Sequence, residues 1–244
     1  MIGYNINDEG QTFLVYDFMP LRSLKHHLQD LLPNQKPLDW NTRMKIAAGA
    51  AKGLKYLHDE SHPPLVHGNI KPSNILLCEG YDPKLSDILV FKERIPEPGE
   101  SSQARYFGHQ FHFTQQSDIY GLVLVLLELI SGRMARPNEH SVTKWAKRRL
   151  VEGMDFTKVV DPFLKGHYPE QGLYQDLSLA AECLQHKEVS RPRIGYVANV
   201  LSNLASEIYE PTAIQINRVD TLAIGKIEKE RLTEQWRHVW CFLY

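Results

Sequence analysis

From Thr114 to Ile130 the chain reads as one long helix, and its stretch from Gly121 to Ile130 is apolar except at Glu128, before Ser131-Gly132 closes it. A helix with almost no polar face has to be wrapped by other elements. The segment therefore predicts a domain built around a buried central helix. It is too short for a membrane span, which needs about 20 apolar residues in a row. With 244 residues, 43% of them hydrophobic, the chain has ample material for a surrounding core.

The remaining patterns describe what surrounds that helix. Thr12 to Tyr16 is a short β-prone run, separated from Ile2 to Tyr4 by the polar turn Asn7-Asp8-Glu9-Gly10, and predicts a hairpin. Two strands alone are marginal. After Pro20 the periodicity becomes helical: Ser23 can cap Leu24 to Leu28, and Asp39 or Asn41 can start a long helix through His58. Ile46, Ala50, Leu54 and Leu57 fall on one face of it and predict core packing. Pro63-Pro64 ends that helix, and Leu65-Val66, Ile75 to Leu77 and Lys84 to Ser86 read as small strands holding a loop. Further helical patterns at Val142 to Val151, Leu173 to Leu184 and Arg193 to Ile208 are divided by Pro137, Asp161-Pro162 and Arg191-Pro192.

Charge and cysteine content exclude several function classes. Twenty-eight basic against 29 acidic residues argue against nucleic-acid binding by bulk attraction. Cys78, Cys183 and Cys241 are widely spaced, so neither a disulfide framework nor a zinc site is predicted, and a reducing, cytoplasmic compartment fits. The start Met1-Ile2-Gly3-Tyr4-Asn5 predicts neither a signal peptide nor a myristoylated glycine, hence no intrinsic membrane anchor. His109 and His112 are three apart, but no third ligand at a suitable spacing accompanies them, and no metal is assigned there.

The segment that carries chemistry is His67-Gly68-Asn69-Ile70-Lys71-Pro72-Ser73-Asn74, followed by Leu85-Ser86-Asp87-Ile88-Leu89. Asp118-Ile119-Tyr120 heads the central helix, and Arg191-Pro192 stands near the end. This ordered set resembles the protein-kinase catalytic loop His-Arg-Asp-Leu-Lys-x-x-Asn and its following Asp-Phe-Gly. More narrowly, Leu14 to Pro20, Leu38 to Ala47 and Gly172 to Gln175 resemble plant receptor-like cytoplasmic kinases of the seventh subfamily, the PBS1-like serine/threonine kinases. The resemblance implies an α+β, protein-kinase-like fold. In it, residues 1–19 are a remnant N-lobe hairpin and hinge, 20–209 a mainly helical C-lobe, and 210–244 a tail of unknown structure. It also implies ATP and Mg²⁺ as cofactors. Its partners would be other kinases, receptors or immune sensors, and its place the inner face of the plasma membrane, reached through those partners.

Phosphoryl transfer is mostly positioning and charge stabilisation, so each part can be checked separately. The glycine-rich loop, the strand lysine and its glutamate belong before residue 1 and are absent from this sequence. At the base position stands Asn69, whose amide accepts a hydrogen bond but takes no proton. Loss of positioned acid–base help costs typically ~10²–10⁴ in rate. Gly68 replaces the neighbouring arginine, and Ile88-Leu89 the Phe-Gly. Asn74 and Asp87 remain as oxygen ligands for magnesium, or as loop-fixing partners only, and Lys71 remains to meet a terminal phosphate. Asp17 and Met19 of the hinge would offer backbone groups to adenine, with Leu76 beneath it. These changes predict a catalytically impaired pseudokinase with weak or lost ATP and Mg²⁺ binding. The alternative is a serine/threonine kinase whose N-lobe lies outside this sequence.

Three further expectations concern the surroundings. Only 30 residues separate Asp87 from Asp118, Ala-Pro-Glu is missing, and Arg105 to Phe111 stands where peptide would dock. Arg191, deprived of that glutamate, needs another partner such as Glu182 or Glu188, and Ser101, Ser102 and Thr114 read as solvated hydroxyls or phosphate acceptors. As a helix, the tail would place Leu232, Trp236, Val239 and Trp240 on one side, as a docking element or as the artefact of a faulty gene model.

Overall fold

The two β-prone runs at the start pair as predicted. In the computed structural model, which describes residues 3–7, 12–31, 35–88, 114–134, 160–164, 166–185 and 187–211, β1 (Gly3–Ile6) runs antiparallel to β2 (Thr12–Val15), with Gly3 opposite Val15. The chain then turns through residues 16–23 into α1 (Leu24–Leu28), as its periodicity predicts. Asp39, not Asn41, starts the long helix α2 (Trp40–Lys55), because its carboxylate accepts the Thr42 N–H at 2.8 Å and supplies the missing acceptor of the first turn. The helix continues as one π-helical turn, Tyr56–Glu60.

Of the three predicted small strands, two form. Here β3 (Ile75–Leu77) and β4 (Pro83–Leu85) pair antiparallel, Ile75 opposite Leu85. Leu65-Val66 is not a strand: the Leu65 N–H returns to the Leu57 carbonyl at 2.8 Å, so this backbone folds against the end of the preceding helix rather than into a ladder.

The central helix is α3 (Gln115–Ser131), capped at its start by Thr114, whose hydroxyl accepts the Ser117 N–H while the Ser117 hydroxyl receives the Thr114 N–H. Every residue from Leu122 to Ser131 is buried. Glu128, the charge in the apolar run, is reached by the Gln29 amide at 3.1 Å. Around α3 lie α2, α4 (Glu170–Cys183) and α5 (Ile194–Ser206), with the apolar stripe Ile46, Ala50 and Leu54 of α2 fully in the core. Each such Leu or Ile contributes about 1.5–3 kcal/mol relative to exposure. Both later helices occupy the predicted stretches, α4 starting three residues earlier than its apolar pattern, at Glu170. The pattern at Val142 to Val151 and the tail from residue 212 onward lie outside the described residues.

One polar contact holds these layers together from inside. Arg43 on α2 is 1% exposed and donates to the Leu38 carbonyl (2.8 Å), the Leu129 carbonyl of α3 (2.6 Å) and the Asp161 carboxylate (2.9 Å). Asp161 in turn gives its N–H to the Ile130 carbonyl and caps the Phe163 N–H, which explains why a buried ion pair is tolerated there. Among the described residues no helix is long and apolar enough to cross a membrane.

Candidate functional site

The loop from Pro64 to Lys71 has no ladder of its own, so something else must hold it. That anchor is Asp118, 2% exposed at the head of α3. One carboxylate oxygen accepts the His67 N–H at 2.7 Å and the His58 Nε2–H at 2.9 Å, and the other accepts the Gly68 N–H at 2.8 Å. A buried carboxylate with both oxygens bonded is satisfied rather than stranded. The same contact fixes the loop to the central helix. Gly68 adopts φ 73°, a left-handed conformation that glycine takes without the steric penalty of a side chain. Next to it, Ile70 lies so close to Gly121 of α3 that an added Cβ would sit 3.1 Å from both its side chain and its carbonyl.

His67 is fully buried, and its Nδ1 accepts the Asn69 N–H at 3.2 Å, so the ring proton sits on Nε2. Burial holds its pKa below the ordinary histidine value, with the Asp118 carboxylate opposing that shift in part. The imidazole is therefore a neutral wedge beneath the loop.

The predicted site residues fall on this frame. Asn69, at the base position, is half-buried, and its carbonyl accepts the Asn74 amide at 2.9 Å. Asn74 is 5% exposed in the 3₁₀ turn Pro72–Asn74, and its Oδ1 accepts the Ser73 hydroxyl at 3.2 Å. Its carbonyl receives the Ser86 N–H at 2.9 Å, which brings the neighbouring Asp87 alongside although the two are 13 positions apart in sequence. Asp87 is exposed and adopts φ 55°, a strained left-handed conformation for a residue with a Cβ. Ile88 packs, partly buried, against the core, as its apolar side chain predicts. Lys71 is exposed at the edge of the same loop.

The hinge residues meet this group through β3. The Arg22 N–H bonds to the Met19 carbonyl at 3.1 Å, Leu77 exchanges backbone bonds with Leu21 and Arg22, and Ser23 bridges to Leu76. Met19 Sδ lies 3.3 Å from Cys78 Sγ. Leu76 is half-buried, Asp17 is exposed, and Phe18 is 89% exposed. The structure thus brings Met19 and Leu76 into one neighbourhood and leaves the Asp17 side chain in solvent.

Arg191 finds the second of its two proposed partners. Its guanidinium lies 4.0 Å from Glu188, donates to the Gln185 and Gln116 carbonyls at 3.0 and 2.9 Å, and stacks 5.0 Å over Tyr120. Glu182 is engaged instead with Tyr196, whose phenol it raises above its ordinary value. Thr114 is not a solvated hydroxyl: besides capping α3 it donates to Glu188 at 3.1 Å. Ser101, Ser102, Leu89, Arg105 to Phe111, His109, His112 and Cys241 lie outside the described residues. Sequence reasoning missed Asp118 as the anchor of the loop, and its place at the head of the apolar helix was the available signal.

Comparison with known proteins gives the same result from another direction. A family model described as protein tyrosine and serine/threonine kinase matches residues 1–201. The chain is 45% identical over 230 residues to the serine/threonine-protein kinase PBL27 of Arabidopsis thaliana, covering 87% of this chain and 44% of that protein. It is 43% identical over 229 residues to the Arabidopsis thaliana serine/threonine-protein kinase PBS1, covering 87% of this chain and 50% of that one. The chain spans about half the length of these curated relatives. A solved structure of the pseudokinase domain of BIR2, an immune regulator of the RLK/Pelle family, superimposes with a TM-score of 0.68 at 28% identity, covering 84% of this chain and 64% of that one. With a family match across most of its length and a kinase-like fold, the chain belongs to the protein tyrosine and serine/threonine kinase family, in its PBS1-like branch.

Proposed function

We propose that this chain works as a kinase-fold binding module of the receptor-like cytoplasmic kinase type that does not itself transfer phosphate. Its partners are other kinases, receptors or immune sensors, met at the inner face of the plasma membrane. The observation that carries the reading is Asn69, whose carboxamide stands where the family's loop has its aspartate. An uncharged amide orients a hydroxyl but cannot accept its proton. Gly68 and Leu89 add to this, since the first removes a cation beside the base position and the second the flexible glycine of the metal-binding segment. Likeness to a pseudokinase described as an immune regulator supports the same reading.

The residues present do fit a magnesium nucleotide. Asn74 Oδ1 accepts the Ser73 hydroxyl and has a second lone pair, and the exposed Asp87 follows Ser86, whose N–H bonds to the Asn74 carbonyl. Magnesium is commonly held by one or two such oxygens plus phosphate and water. When bound, it would neutralise the phosphate charge. In this reading Asn74 and Asp87 hold the ion, Lys71 meets the terminal phosphate, Asp17 and Met19 offer backbone groups to adenine, and Leu76 lies beneath the ring. That set favours a second reading, a serine/threonine kinase whose N-lobe lies outside this sequence and in which Asn69 is the remaining obstacle.

Incubation with γ-labelled ATP, Mg²⁺ and a general peptide substrate separates the two. The binding-module reading expects no transfer above that of Asp87→Ala; transfer above that level overturns it. Thermal shift with Mg²⁺ and ATP then tests the retained pair. Nucleotide at 100 times its Kd stabilises by about 2.7 kcal/mol, and Asp87→Ala should abolish any such shift.

A further inference from the structure

Asp176 is an ionisable group that no site uses. It lies on α4, is 0% exposed, and neither carboxylate oxygen has a hydrogen-bond partner. Its neighbours one turn away along α4 are packed among apolar groups. One turn earlier on the same face, a Cβ added to Gly172 would meet Trp40 at 3.3 Å and Leu204 at 3.8 Å, and one turn later Ala180 is fully buried. Two turns on, Cys183 is pushed up to about 12, first by burial and then by Glu182.

Among the described residues, the charged and titratable groups on the elements packed around α4 pair elsewhere, His167 excepted. On α3, Asp118 holds the loop and Glu128 takes Gln29. On α2, Arg43 pairs with Asp161, and on α5 Tyr196 pairs with Glu182 of α4 itself. His167, in the turn before α4, makes no hydrogen bond through Nε2. None of these shifts Asp176. Burial alone raises its carboxyl well above the ordinary range. An ionised carboxylate in such surroundings is strongly disfavoured, and the group takes up a proton instead.

We propose that Asp176 makes folding of this domain proton-linked: the folded chain keeps the carboxyl as a neutral acid, and its stability falls as pH rises. The sign follows from linkage. The folded state binds a proton that the unfolded state releases near pH 3.8, so stability is greatest below that value. It declines up to the folded-state pKa, and levels off above it. Across that window the unfolding equilibrium constant rises about tenfold per pH unit from this one group.

The test is denaturant unfolding of the full chain and of Asp176→Asn and Asp176→Leu between pH 5 and 8. Both variants should be more stable than the parent at pH 8. The ratio of parent to variant unfolding constants should climb about tenfold per pH unit before levelling. Parallel pH profiles, or variants that are less stable at pH 8, overturn the proposal. Independently of whether the variants fold, carboxyl-carbon NMR of the parent protein should show Asp176 titrating far above pH 3.8. Titration in the ordinary carboxylate range also overturns it.

Discussion

Three hydrogen bonds converge on Asp118, and two of them come from backbone N–H groups that have no other acceptor nearby in sequence. Asp118→Asn would turn an –NH₂ toward one of those donors. A buried donor left unpaired costs about 1–3 kcal/mol, and more where a charged acceptor is lost. We expect a stability loss of about 3 kcal/mol in denaturant unfolding, with faster hydrogen exchange at the amides of His67 and Gly68. A loss confined to global stability, with those two amides still protected, would mean the loop has another anchor. Gly68→Ala should cost about 1–2 kcal/mol, because it forces a Cβ into left-handed backbone. Both Asn69 and Asn74 were legible in sequence, since the loop motif names them. The left-handed backbone of Asp87 was not, because an aspartate carries no mark of its φ angle; glycine at position 68 does carry such a mark.

Helix existence was the most readable part of the fold because apolar spacing reports it directly. The continuous run from Leu122 to Ile130 and the stripe on α2 both lie in the core. What periodicity does not report is the polar contact between elements. Arg43 looks like an ordinary surface charge in Thr42-Arg43-Met44, yet it links α2, α3 and the Asp161 turn across 118 positions of sequence. Leu65-Val66 failed as a strand for a related reason: the Leu65 N–H is taken by the Leu57 carbonyl in the π-helical turn that follows α2, not by a neighbouring strand. Removing one member of a buried pair leaves an uncompensated charge. Arg43→Ala should therefore destabilise by about 3–5 kcal/mol. The double variant Arg43→Met, Asp161→Leu should recover part of that loss in the same unfolding measurement. If the double variant is no better than the single one, the carbonyl contacts of Arg43 outweigh its ion pair.

Among the described residues, proton linkage between pH 5 and 7 has two opposing sources, and their balance can be tested. His27 is buried, its Nε2–H bonded to the Leu21 carbonyl at 2.7 Å and its Nδ1 receiving the Gln35 amide at 2.8 Å. That arrangement requires the neutral ring, because a second ring proton would face the Gln35 N–H. Burial lowers both His27 and His67 below 6.5, so the folded state binds fewer protons than the unfolded one. Their contribution is fully present above pH 6.5 and is lost as pH falls through their folded-state values. Asp176 acts in the opposite direction over the same range. Acidification from pH 7 to 5 should therefore destabilise the parent chain less than Asp176→Asn, in which the compensating proton uptake is gone. His27→Gln, which keeps an amide donor for the Leu21 carbonyl, should soften the acid loss in either background. Unfolding curves at half-unit pH steps decide between these terms. An acid limb that is unchanged by His27→Gln would remove His27 from the balance, and an Asp176→Asn limb no steeper than the parent's would remove the buried carboxyl from it.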